Sequence, residues 1–116
     1  MYEYKCLEVL SVHDGDTCTL LLDLGFGIHS VQTIRLYGID TPELRGETIV
    51  EGRKAKIFLI EKLKSSDSII VKTYQDKTEK YGRLLGEIFI EDEETSVNQM
   101  LIQEGYAKDY FGGTKV

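Results

Sequence analysis

Residues 13–37 read HDGDTCTLLLDLGFGIHSVQTIRLY. Asp14-Gly15 favours the positive φ of a tight reversal, so the chain turns there. Thr17 to Leu24 continues as a strand. Leu24-Gly25-Phe26-Gly27 is a second, glycine-punctuated reversal, and Ile28 to Tyr37 is a third strand rich in β-branched residues. Upstream, Tyr4 to Val12 alternates apolar and polar residues as the first strand. The N-terminal third is therefore a three-strand meander, which Gly38 and Pro42, the only proline, bring to an end.

Outward from the meander, Glu43 to Gly46 reads as a loop and about Glu47 to Leu63 as a helix. Ala55, Leu59 and Leu63 keep helical spacing, whereas Ile57 does not. Lys54, Lys56, Lys62 and Lys64 weight the C-terminal half positively, which suits the helix dipole. Ser65-Ser66-Asp67 closes the helix. Ser68 to Tyr74 is a fourth strand, Gln75 to Gly82 a polar loop, and Arg83 to Ile90 a fifth strand. After an acidic turn, Ser96 caps a short helix, Val97 to Glu104, which stops at Gly105. The tail from Asp109 is expected to fray. Five strands with a helix between the third and fourth is the plan of the five-stranded Greek-key barrel called the OB-fold. The expectation is a mainly β chain with two helices, one domain over residues 1–116.

The formal net charge of −6 and the pI near 4.9 oppose a general nucleic-acid binder, which usually carries a basic face. A polyanionic substrate would have to be held locally, by a few Arg and Lys residues and a metal. No apolar run approaches the roughly 20 residues of a membrane span. Met1 to Leu10 mixes Glu3, Lys5 and Glu8 with apolar neighbours, unlike a secretory signal. The expectation is a cytoplasmic protein without a membrane partner. Cys6 and Cys18 are too few for a disulfide framework or a cysteine-based zinc site. Pairing about Gly15 sets Cys6 opposite position 24, so both are expected as reduced, buried or half-buried thiols.

Three stretches carry chemistry: His13-Asp14-Gly15-Asp16-Thr17, Arg35 to Glu43, and Lys80-Tyr81-Gly82-Arg83. Hard cations take carboxylate oxygens, phosphates take the bidentate fork of arginine, and a hydrolytic water needs a carboxylate base. Read singly, each residue has a plainer role. Asp16 belongs to a turn, Asp40-Thr41 to an Asx turn before Pro42, and Glu43 to a solvated loop. Asp14 keeps its turn role, and Arg45 and Arg53 read as surface charges. Arg35 is different, because it interrupts the apolar run Thr33-Ile34-Arg35-Leu36-Tyr37, where a charge is costly unless paired. His13 and His29 make neither a metal site nor a triad.

Asp14-Gly15-Asp16-Thr17, then Arg35 with Gly38-Ile39-Asp40-Thr41-Pro42-Glu43, then Tyr81-Gly82-Arg83 resembles the staphylococcal (micrococcal) nuclease family. The ending Val97-Asn98…Leu101…Glu104-Gly105-Tyr106-Ala107 resembles it too, so the likeness runs from about Val9 to Ala107. The resemblance implies one Ca²⁺ bound by Asp16, Asp40 and the Thr41 carbonyl. It implies Glu43 as general base, and Arg35 and Arg83 as the phosphate clamp that stabilises the transition state. It implies contacts from Lys80 and Tyr81 to the nucleotide's phosphate, and Tyr110 as a stacking partner. The activity implied is hydrolysis of DNA and RNA, single strands preferred, with little base preference and 3′-phosphate ends. Two departures are the acidic balance and a poor match beyond Ala107 to the family's long C-terminal helix. A non-catalytic OB-type binding module and a protein-interaction domain stay open as other classes. A retired site is expected to lose at least one of Asp16, Arg35, Asp40, Glu43 and Arg83, and all five are present.

Overall fold

The computed structural model describes residues 2–74 and 83–110. Strands β1 (Glu3–Asp14), β2 (Thr17–Gly25) and β3 (Ile28–Leu36) form the meander. A two-residue strand, β4 (Ile39–Asp40), and a 3-10 turn (Gly46–Thr48) lead into helix α1 (Ile49–Lys64). Strands β5 (Ile69–Tyr74) and β6 (Leu84–Ile90), helix α2 (Val97–Gln103) and strand β7 (Lys108–Asp109) complete the order.

The barrel closes in the order β1-β2-β3-β6-β5, with β5 returning antiparallel to β1. All neighbours run antiparallel except β3 and β6, where Ile34 faces Leu84 and Arg35 faces Leu85 in parallel. This is the expected Greek-key barrel with a helix inserted between the third and fourth barrel strands. Among the described residues no helix is long and apolar enough to cross a membrane.

Alternation decides the interior. Cys18, Leu20 and Leu22 of β2, Ile34 and Leu36 of β3, Val71 of β5 and Ile88 of β6 are fully buried, at every second position of their strands. Helix α1 lays Ala55, Leu59 and Leu63 against this core and leaves Ile57 exposed, as the spacing predicts. It starts at Ile49 rather than Glu47, because the Thr48 hydroxyl donates to the Glu43 and Arg45 carbonyls instead of capping the helix. Helix α2 is capped as expected, with the Ser96 hydroxyl accepting from the Gln99 N–H at 3.1 Å.

Both thiols are buried and unpaired. Burial pushes Cys18 up to about 12, so it stays protonated and inert. Cys6 lies opposite Leu22, not position 24, because two bulges in β1 move the pairing. The tail also differs from expectation. Asp109 pairs with Ile39 and Lys108 with Asp40, and the Tyr110 N–H donates to the Gly38 carbonyl at 2.8 Å. The described part of the tail is thus tied down by backbone bonds to the loop that follows β3.

Asn98 joins α2 to the barrel. Its amide donates to the Tyr37 carbonyl at 2.9 Å and the Gly86 carbonyl at 3.1 Å, and its oxygen accepts from the Ile88 N–H at 3.1 Å. The residue is only 1% exposed. Asn98→Ala is expected to cost about 2–3 kcal/mol, the penalty for orphaning buried backbone groups. Urea unfolding should show a lower midpoint at unchanged slope.

Candidate active site

The site grows from the β1–β2 turn. The Asp14 carboxylate accepts from the Asp16 N–H at 3.0 Å, which fixes the turn and sends the Asp16 side chain inward. Asp16 Oδ1 accepts from the Thr17 hydroxyl at 3.1 Å, and Oδ2 accepts from the Thr41 N–H at 3.1 Å. That last bond stitches the turn to the loop after β4, although 25 residues separate the two in sequence.

Arg35 completes the cluster. Its Nη1 donates to the Leu36 and Ile39 carbonyls, both at 3.1 Å. Its Nη2 lies 3.4 Å from Asp40 Oδ1 and 3.7 Å from Asp16 Oδ2. Two carboxylates therefore converge on one guanidinium nitrogen, on a side chain only 14% exposed. The charge that the strand pattern flagged as costly is thus paired. The Tyr110 ring centroid lies 5.6 Å from Arg35 Cζ, a cation–π contact that covers the guanidinium.

Burial raises the pKa of Asp16, and the neighbouring Asp14 adds to the rise; Arg35 and the Thr41 N–H oppose it without cancelling it. A carboxyl with a raised folded pKa binds a proton more tightly folded than unfolded. Its ionisation weakens the fold above that folded pKa, and the penalty disappears below the unfolded value near 4. In chelator, the parent chain should therefore lose melting temperature as the pH rises from about 4 through the raised pKa of Asp16, and Asp16→Asn should flatten that dependence, followed by calorimetry from pH 3 to pH 7.

Glu43 sits apart from this buried group. Its side chain is 66% exposed, and Oε2 accepts from Arg45 Nε at 3.1 Å. Arg45 is a surface charge as expected, 85% exposed, but it is also the Glu43 partner, which sequence reading missed. The Glu43 backbone is held tightly. The Thr48 hydroxyl donates to its carbonyl at 2.8 Å. A methyl group at Gly52 would stand 2.6 Å from that same oxygen and 2.9 Å from the Pro42 carbonyl. One at Gly15 would stand 2.6 Å from the Ala55 Cβ. Two bare glycines thus let α1 lie against both the turn that presents Asp16 and the loop that presents Glu43. Alanine normally gains about 1 kcal/mol over glycine within a helix. Gly52→Ala is expected to reverse that sign and destabilise by about 1–3 kcal/mol, because backbone must move. A stabilised variant on urea unfolding would remove Gly52 from this role.

Arg83 is half-buried and immediately precedes β6. Leu84 and Leu85 pair with Ile34 and Arg35, so Arg83 stands beside β3 at the entrance to β6. Lys80 and Tyr81 lie outside the described residues. Tyr37 and Tyr74 stack with centroids 4.2 Å apart, and the Tyr74 hydroxyl donates to Glu87 at 2.8 Å. Burial and Glu87 push Tyr74 up to about 12, so it remains a neutral phenol. Sequence reading did not find this pair, since its members stand 37 residues apart, Tyr37 in the turn after β3 and Tyr74 at the end of β5.

Among the described residues no three His, Cys, Asp or Glu side chains cluster as a ready-made metal cage. Asp16 and Asp40 do supply two carboxylates beside the Thr41 backbone. A cleft of about 250 Å³ opens next to them, between the Asp40–Pro42 loop with Thr48 and the Gly105–Tyr110 segment.

The fold is thus a closed Greek-key barrel with Asp16, Asp40 and Arg35 gathered at one end. The family model for staphylococcal nuclease homologues matches residues 33–115, and the chain belongs to that family. It is 33% identical over 131 aligned positions to an uncharacterized protein of Methanocaldococcus jannaschii, across 94% of this chain and 61% of that protein. It is 32% identical over 108 positions to endonuclease YhcR of Bacillus subtilis, across 86% of this chain but 8% of that protein. The chain thus spans about three fifths of the first relative and under a tenth of the second.

Proposed function

We propose that this chain is a nuclease that hydrolyses phosphodiester bonds of DNA and RNA, with Ca²⁺ as its cofactor and little base preference. The observation that carries this reading is the convergence of Asp16 and Asp40 on one nitrogen of Arg35, with Glu43 exposed on the adjoining loop. The family membership and the resemblance to an endonuclease support it. Cleavage at the 5′-oxygen, leaving 3′-phosphate ends, and a preference for single strands are carried over from the family resemblance.

The donor set fits a hard cation. Ca²⁺ takes about six to eight oxygen ligands, including carboxylates, backbone carbonyls and water. Asp16 and Asp40 would hold it with the Thr41 carbonyl, and water would complete the shell. Bound there, it supplies Lewis-acid polarisation of a phosphoryl oxygen.

The rest of the chemistry belongs to the chain. Arg35 and Arg83 grip the phosphate and offset the charge that grows on its equatorial oxygens. The carbonyls of Leu36 and Ile39 fix one edge of Arg35, so the guanidinium is oriented before substrate arrives. Glu43 accepts the proton of the attacking water. Arg45 occupies one of its carboxylate oxygens and leaves the other for that water. Lys80 and Tyr81 extend the phosphate grip, and Tyr110 covers the guanidinium.

Cleavage of single-stranded DNA, duplex DNA and RNA, each with Ca²⁺, Mg²⁺ or EDTA, tests the reading. Activity should need Ca²⁺ and vanish in EDTA. Asp40→Ala should lose Ca²⁺ affinity by calorimetry while staying folded. Glu43→Gln should lower kcat by about 10²–10⁴-fold. Arg83→Lys keeps the charge but loses the planar fork, and should lower the rate by about 10²–10³-fold. If these variants, folded by circular dichroism, cut at the parent rate, the chemistry does not reside here.

A further inference from the structure

We infer that the free edge of β3 is a self-association surface, on which a second copy of this chain pairs antiparallel to make one sheet continuous across a two-fold axis. The way the barrel closes leaves that edge open. β3 bonds to β2 along its whole length, but β6 pairs with it only at Ile34, Arg35 and Leu36. Among the described residues no strand pairs with the other edge of residues 28–33. The end of β3 fixes which groups face that way. There the Leu36 N–H donates to the Asp16 carbonyl on the β2 side, and the Tyr37 N–H to the Gly86 carbonyl on the β6 side, both at 2.8 Å. Backbone groups alternate between the two edges of a strand, and β3 keeps unbroken register with β2 from His29 to Arg35. The N–H and C=O groups of His29 and Val31 therefore point to the open edge.

Exposed edges usually carry lysine, proline or a bulge that keeps other strands away. This edge carries none of them. Residues 24–34 contain no Asp, Glu, Lys or Arg, the longest such run in the chain. The turn at its head strengthens the case. Phe26 and Gly27 take φ of 58° and 75° between the paired Gly25 and Ile28, the pattern of a type I′ turn, which favours Asn-Gly. Phenylalanine is strained there, and it is 103% exposed, with Leu24, Ile28 and Val31 also exposed around it.

Charge selects the occupant. The run offers no cation to a nucleic-acid backbone or an anionic bilayer, and the formal charge of −6 opposes both. That same charge holds two copies apart except where they meet through an uncharged face. An antiparallel strand pair is also self-complementary, as a two-fold contact requires. Hydrogen-bonded pairs join residues that both face the shared edge, so His29 meets Val31 of the second copy and Val31 meets its His29, with Ser30 on the axis. In that register Phe26 stands opposite Ile34 of the second copy, beside which β6 begins at the half-buried Leu84. Each exposed turn thus gains apolar cover from the other copy.

Sedimentation of the full chain from about 1 µM to about 1 mM tests the proposal, a span suited to small, transient interfaces. The weight-average mass should climb from 13.2 kDa toward twice that value. Val31→Lys, at a position 59% exposed, should stay folded by circular dichroism. It should lower the association constant by about tenfold or more, since it places a charge on each edge. Phe26→Asn should also weaken the pair, yet raise the melting temperature at the dilute end, because asparagine suits the turn. Ser30→Cys should cross-link under mild oxidation, since residues facing each other on such an axis have Cα atoms about 4.5 Å apart, within disulfide reach. Ile57→Cys, exposed on α1, should not, and the native Cys6 and Cys18 are buried. A mass fixed at 13.2 kDa throughout overturns the proposal. So does a pair that Val31→Lys leaves unchanged, or cross-linking no faster at Ser30 than at Ile57. A chain that stays monomeric and sediments with phosphatidylcholine vesicles, unless Phe26 is replaced, gives the turn to a lipid surface and overturns the second copy.

Discussion

A guanidinium withdrawn from water needs acceptors on every edge, and the architecture around Arg35 follows from that demand. One edge is met by two carbonyls of its own chain segment, Leu36 and Ile39. For those carbonyls to face back toward the side chain, the backbone must curl immediately after β3, and Gly38, at φ +80°, permits it. The other edge is met by carboxylates from two distant places, the β1–β2 turn and the curl itself. The same arginine therefore shapes the loop and draws Asp16 and Asp40 together.

The remaining elements hold that arrangement in place. Helix α1 approaches so closely at Gly15 and Gly52 that turn and loop share one rigid backing. Helix α2 contributes through Asn98, whose amide bonds the last carbonyl before the curl and the Gly86 carbonyl opposite. The Tyr110 ring lies over one face of the guanidinium. Glu43 is treated differently: its backbone is fixed, while its carboxylate reaches solvent and meets the exposed Arg45 side chain. Such an ion pair is weak and easily exchanged, so the loop offers a fixed mount with a movable end.

Much of this is written in local pattern. Strand alternation, the Asp-Gly turn, the Ala55-Leu59-Leu63 stripe and the Ser96 cap are each decided within a few residues, and the barrel follows from their order. Arg35 was legible as a charge in an apolar strand. What escaped is long-range. No local signal announces that Lys108-Asp109 will pair with Ile39-Asp40, because a two-residue strand has no periodicity. The β1 bulges, which moved Cys6 from position 24 to Leu22, are likewise invisible to simple counting. Gly52 reads as a weak helix residue until the Glu43 carbonyl is found against it. Thr48 looked like a helix residue, yet its hydroxyl serves the loop before the helix. The Tyr37–Tyr74 stack depends on the register of three strands.

The tie between β4 and β7 has a consequence for synthesis. Asp16, Arg35 and Asp40 are all made early, but the partners of the curl, Lys108 and Asp109, are made late. Contacts between segments far apart in sequence form late in folding, and here the chain order makes the delay obligatory. Until Lys108 and Asp109 have left the ribosome, the charged groups stand without the strand that braces them, so the arrangement is completed after the barrel strands that carry it have been made.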